Sequence, residues 1–149
     1  MSSEKRLAWV ADFLRHQNTL TLSTVDADGL PAVAPLFYIV AEPLTLCWLS
    51  SPNSQHSRNL QHAAQVAVAV YRPAQHWQQI GGVQMRGVVE QISDAAQRKP
   101  LVKRYCQHFQ LGVGFRLLIR QSTLYAFQPH FVRVLDNSKR FAGRFELDL

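Results

Sequence analysis

Residues 45–60 read TLCWLSSPNSQHSRNL. The pattern predicts a buried strand over 44–49, then a polar turn, then a short helix. Along the strand Leu46 and Trp48 point one way, and Thr45, Cys47 and Leu49 the other, because side chains alternate across a strand. At its end Ser50, Ser51, Asn53, Ser54, Gln55, His56, Ser57, Arg58 and Asn59 are interrupted only by Pro52. Ser54 is a good N-cap for a helix running to about residue 64. A helix start carries unpaired N–H groups and a partial positive charge, so it can hold an anion. The serine hydroxyls before it, with Gln55, His56 and Arg58 in its first turns, add donors. The run therefore reads either as a phosphate cradle or as a capped helix after a serine-rich turn. Capped helices are the commoner of the two.

Upstream, residues 3–17 predict a helix with Leu7, Val10, Phe13 and Leu14 on one face. Residues 19–25 alternate, with Leu20 and Leu22 opposite Thr19, Thr21 and Ser23, as a strand does. Asp26-Ala27-Asp28-Gly29 is a hairpin turn, since Asp-Gly tolerates positive φ. The strand expected over 31–40 is apolar on both faces. Val33, Phe37 and Ile39 form one set, and Ala32, Ala34, Leu36, Tyr38 and Val40 the other. A one-faced antiparallel sheet should leave one side polar, so a second subunit, a flat ligand or another layer must cover this strand. Pro31 and Pro35 remove ladder donors, which fits a sheet edge or a bulge near a ligand.

Downstream, residues 65–71 predict a strand, and 77–92 a longer one whose apolar phase changes at Gly87, which suggests a bulge. Gln84 and Arg86 face away from Val83 and Met85 there. Residues 94–109 predict a helix capped by Ser93 or Asp94 and split at Pro100, with Leu101, Tyr105 and Phe109 as its apolar stripe. Strands are expected over 123–128 and 131–135, and the last residues alternate Phe145, Leu147, Leu149 against Arg144, Glu146, Asp148.

The length of 149 residues, with 47% hydrophobic and 17% charged, predicts one globular domain over 1–149. No apolar run is long enough to cross a membrane, and MSSEKR leads into an amphipathic pattern instead of a signal peptide. The two cysteines, Cys47 and Cys106, give no disulfide framework and no metal spacing, so a reducing, cytoplasmic setting is expected. The net charge of +6 suits an anionic partner, such as a phosphorylated cofactor or a nucleic acid. The basic residues are scattered, which argues against nucleic acid.

Ser50, Ser51, Ser54, Gln55, His56, Asn59 and Leu60 resemble the flavin-phosphate loop of the FMN-binding split-barrel proteins, the relatives of pyridoxamine 5′-phosphate oxidase. The resemblance extends over most of the chain. It implies a mostly β fold with flanking helices, a six-stranded antiparallel split β-barrel that binds FMN. The apolar faces of residues 31–40 point, independently of the family, to a homodimer. By the same resemblance Ser50, Ser51, Ser54, Gln55 and His56 hold the phosphate. Backbone groups at Pro35, Leu36 and Phe37 pass beside the isoalloxazine ring, and Gln84 touches its pyrimidine edge. Lys139 or Arg140, in the polar turn after residue 135, could reach the phosphate or an acidic substrate.

The chain departs from the oxidase in two places. An Arg-Lys pair is replaced by Gln55-His56, and the oxidase's terminal Arg-Leu-His-Asp-Arg signature is absent from Arg144-Phe145-Glu146-Leu147-Asp148-Leu149. Oxidation of pyridoxamine phosphate is therefore not expected. Some relatives of this fold bind haem, for which one axial histidine suffices. The expectation is an FMN flavoprotein of oxidoreductase type. Its rivals are a non-enzymatic dimer that binds a phosphorylated small molecule or haem on the same fold and, more weakly, a basic nucleic-acid-binding barrel.

Six histidines, His16, His56, His62, His76, His108 and His130, are spread along the chain without paired metal-ligand spacing. Gly81-Gly82 and Gly112-Val113-Gly114 lack the full dinucleotide fingerprint.

Overall fold

The computed structural model describes residues 1–41, 43–139 and 143–149. Helix α1, Ser3–Arg15, is capped by Ser2 and leads into strand β1, Thr19–Val25. The turn to strand β2, Pro31–Phe37, closes as expected. Asp26 Oδ1 accepts from the Asp28 and Leu30 amides at 2.9 Å each, and Gly29 takes φ 81°. Next come strand β3, Ile39–Ala41, strand β4, Thr45–Ser50, helix α2, Gln55–His62, and strand β5, Gln65–Tyr71. A 3-10 turn at Trp77–Gln79 precedes strand β6, Gly81–Gln91. Helix α3, Ala95–His108, and the short helix α4, Arg116–Gln121, are followed by strand β7, Thr123–Asp136, and strand β8, Arg144–Asp148.

Among the described residues eight strands, not six, make one antiparallel sheet in the order β2-β1-β5-β6-β7-β4-β3, with β8 also paired to β7. The sheet curls until its edge strand β2 approaches β4 and α2, as a split barrel does. Part of the extra count comes from residues 31–40, which split at Tyr38. β2 pairs with β1 while β3 pairs with β4. Tyr38 is pinned at the break, its amide donating to the Asn18 carbonyl at 3.0 Å and its hydroxyl to the Leu14 carbonyl at 2.6 Å. Ile39 consequently leaves the face that carries Val33 and Phe37, and is buried.

The concave side of the sheet holds the main core. Leu20, Leu22, Leu46, Trp48, Val68, Met85, Phe127 and Val132 pack there against Val10 and Leu14 of α1. Trp48 stacks on Tyr125, with ring centroids 5.8 Å apart. The other face of β3, β4 and β7 carries Ile39, Cys47, Leu124 and Ala126, covered by Tyr105, Leu101 and Phe109 of α3. Both faces of residues 45–50 are therefore dry for a structural reason, since helices cover the sheet on both sides here.

Three sequence expectations change. The expected split of α3 at Pro100 is absent, because that residue is exposed and the carbonyl it leaves unpaired can take water. The two strands expected around Pro129 are one long β7. The phase change expected at Gly87 in β6 is also absent there. Val83, Met85 and Val89 are all buried, whereas Val88 is exposed. The irregularity sits opposite, in β7. Arg86 pairs with Phe131 and Gly87 with Pro129, leaving His130 as the extra residue. Gly87 is required for close approach, since a Cβ there would collide with the Gln128 carbonyl.

Candidate functional site

The residues singled out around position 50 converge. Ser50 ends β4, where it pairs with Thr123 of β7. Ser54 caps α2 in extended conformation (φ −67°, ψ 154°), its Oγ accepting from the Ser57 amide at 3.3 Å. Ser54 Oγ also donates to Ser57 Oγ at 2.8 Å, and Ser57 is fully buried. His56 turns back over the turn, its Nε2 lying 2.8 Å from Ser50 Oγ and 3.1 Å from Ser54 Oγ. Burial lowers the His56 pKa below its usual value, so the ring is neutral at neutral pH. A neutral ring whose Nε2 is occupied by two serines supplies no full charge to an anion.

Arg58 does supply one. Its Nη1 donates to the Asn53 carbonyl and its Nη2 to Gln55 Oε1 at 2.8 Å, which holds the guanidinium beside the helix start. Gln55 Nε2 in turn donates to Asn59 Oδ1 at 2.8 Å, and Asn59 Nδ2 to Thr24 Oγ1 at 3.0 Å. This chain of side-chain bonds anchors α2 to β1. Ser51 is exposed, with its Oγ accepting from the Asn53 amide at 3.2 Å. The donor set fits a phosphate: serine hydroxyls, first-turn amides and one guanidinium, with no carboxylate among the described residues bonded to any of them. Arg58 was visible in the sequence only as one more first-turn donor. Its role depends on the fold-back to Asn53.

Pro35, Leu36 and Phe37 lie on β2, the sheet edge that the two prolines predicted. Val33 and Phe37 are 72% and 57% exposed. Leu36 points inward and packs on the core, so only its backbone is available at the edge. Phe37 stacks on Phe109 at 4.7 Å, and its carbonyl accepts from the Tyr105 hydroxyl at 3.5 Å.

Gln84 shares a cross-strand row with Pro35, since Pro35 pairs with Thr21, Thr21 with Ala69 and Ala69 with Gln84. Three strand spacings amount to roughly 15 Å. Gln84 lines a groove of about 450 Å³ on the outer sheet face with Thr21, Ala69, Arg86 and Arg133. Lys139 lies at the far end of β7 from Thr123, its ammonium 5.7 Å from the Trp9 ring. Arg140 lies outside the described residues. No group of three or more His, Cys, Asp or Glu side chains among the described residues could hold a metal, and no helix is long and apolar enough to cross a membrane.

The family model described as pyridoxamine 5′-phosphate oxidase matches residues 8–133. The chain belongs to this family. Within reach of it is a UPF0306 protein of Photorhabdus laumondii, 23% identical over 97% of this chain and 96% of the relative. Among solved structures, a conserved hypothetical protein of Mycobacterium tuberculosis superposes with TM-score 0.77 at 19% identity, covering 93% of this chain and 86% of its own. HutZ of Vibrio cholerae, described as a heme storage protein, superposes with TM-score 0.71 at 21% identity, covering 87% of this chain and 91% of its own. At these identities the structural likeness speaks for the fold, and the pyridoxamine 5′-phosphate oxidase family gives the scaffold on which the Ser50 turn sits.

Proposed function

We propose that this chain is an FMN-binding flavoprotein of oxidoreductase type that works as a homodimer. The observation that carries this reading is the convergence of Ser50, Ser54 and Arg58 on the start of α2, beside the edge strand β2 with its exposed Val33, Pro35 and Phe37. The hydroxyls of Ser50, Ser51 and Ser54, the Gln55 and His56 amides and the Arg58 guanidinium would hold the phosphate. His56 orients the two serines. The β2 edge at Pro35, Leu36 and Phe37 would meet the ring system. Bound flavin supplies hydride and electron transfer, and the protein supplies orientation and electrostatics.

Exposed apolar side chains on β2 favour cover by a second copy. Gln84, in the same cross-strand row as Pro35 on the outer face, would touch the pyrimidine edge of the ring. The test is a titration with FMN and with riboflavin, followed by gel filtration. Retained flavin absorbance with FMN bound far more tightly than riboflavin supports the reading, and no retained FMN refutes it. A haem reading is favoured by the likeness to HutZ, a heme storage protein by description. A sharp Soret band after haemin addition, with no flavin retention, would select it.

A further inference from the structure

A second cleft, of about 500 Å³, opens where the end of α1, residues 38–40 and the last turns of α3 meet. That volume is within the range of small-molecule sites, roughly 300–1,000 Å³. Buried Leu14 and Ile39 line it. Its polar lining comes from Arg15, Gln17, Arg104, Gln107 and His108, and among the described residues no acidic side chain contributes. We infer that this cleft is a binding site for a small organic oxyanion, with Arg104 as its principal anchor.

Two of its polar groups are already held in place. Arg104 Nη2 donates to the Val40 carbonyl at 2.8 Å, which leaves the rest of the fork available. His108 Nε2 lies 2.8 Å from Asn18 Oδ1, an arrangement that fixes the ring across the gap between α3 and the end of α1. A guanidinium restrained in this way loses less freedom on binding and can take a carboxylate or phosphate through two parallel bonds. The field of Arg104 also reaches the core beneath. Burial raises the Cys47 thiol pKa, and the Arg104 charge opposes that shift. The nearest acid on α1, Asp12, is 3.6 Å from His16 Nδ1 and lines a different hollow with Arg72 and Lys139. Apolar surface from Leu14 and Ile39 would take the ligand's carbon frame. The oxyanion is either a carboxylate or a phosphoryl group. Neither choice depends on the flavin reading, because the cleft shares no residue with the Ser50 turn.

The test is a proton–nitrogen NMR titration of the whole chain with succinate, and separately with inorganic phosphate, at constant ionic strength. Saturable shifts at residues 15–17, 38–40 and 104–108, with midpoints of about a millimolar, are expected for such small probes. Tighter succinate binding would identify a carboxylate ligand, and tighter phosphate binding a phosphoryl ligand. Arg104→Gln should weaken the preferred probe about tenfold, while Arg120→Gln, outside the cleft, leaves it unchanged. Should Arg104→Gln lose its fold, Arg104→Lys, which keeps the charge and loses the fork, should still weaken binding severalfold. Shifts that stay linear, shifts confined to the Ser50 turn, or an Arg104 variant that binds like the original would each overturn the assignment.

Discussion

Replacing Ser54 separates the turn's structural role from its binding role. In Ser54→Ala the cap bond from the Ser57 amide disappears, at a cost of about 1 kcal/mol. The fully buried Ser57 hydroxyl also loses its 2.8 Å partner, which costs about 1–2 kcal/mol more. The expected total is about 2–3 kcal/mol, or a fall in Tm of roughly 4–12 °C for a chain of this size. Urea denaturation followed by tryptophan fluorescence measures it. Ser54→Asp restores a capping oxygen and should recover most of that stability. It also places a carboxylate where the phosphate is proposed to sit, so FMN affinity should fall by at least about tenfold even though the fold is sound. If Ser54→Asp binds FMN as well as the original protein, the phosphate is not held at this turn. If Ser54→Ala is as stable as the original within about 0.5 kcal/mol, the hydrogen-bond argument itself is wrong.

The His56 pKa is lowered by burial, so the folded state binds fewer protons than the unfolded chain. Its contribution to stability should be complete above roughly pH 6.5 and decline as the pH falls below that value, and His56→Gln should flatten this limb of a urea-midpoint profile. Asp136 behaves differently. Burial pushes its carboxyl up, but bonds from the Ser138 hydroxyl and amide and from Arg72, whose Nη2 lies 2.6 Å away, outweigh that and hold it below its usual value. Its contribution should persist to about pH 4 and be lost as the pH falls further, and acid unfolding of Asp136→Asn should lack this component. Gly87→Ala should destabilise by roughly 1–3 kcal/mol in the same urea assay, because the added methyl meets the Gln128 carbonyl. Phe37→Asp on the exposed face of β2 should shift sedimentation toward the monomer, and an unchanged dimer would place the interface elsewhere.

Local chemistry made several elements legible in the sequence alone. β1, the Asp26–Gly29 turn, β5 and the Ser54 cap follow from alternation, from a residue type that tolerates positive φ, and from a side-chain oxygen that reaches amides three residues on. The prolines at 31 and 35 marked a sheet edge for a similar reason, since a missing N–H has no place inside a ladder. Tertiary structure alone decided the remainder. The break at Tyr38 depends on Asn18 and Leu14, the phase slip lies at His130 although Gly87 signals it, and Gln84 shares a row with Pro35 only through the pairing of β2, β1, β5 and β6. Arg15 meets Arg104 and His108 in one cleft although residues 16–103 lie between them in the chain. Periodicity records which side of an element is dry, because burial acts on each residue where it stands. It does not record which elements meet, since that depends on the curl of the sheet and the packing of whole faces.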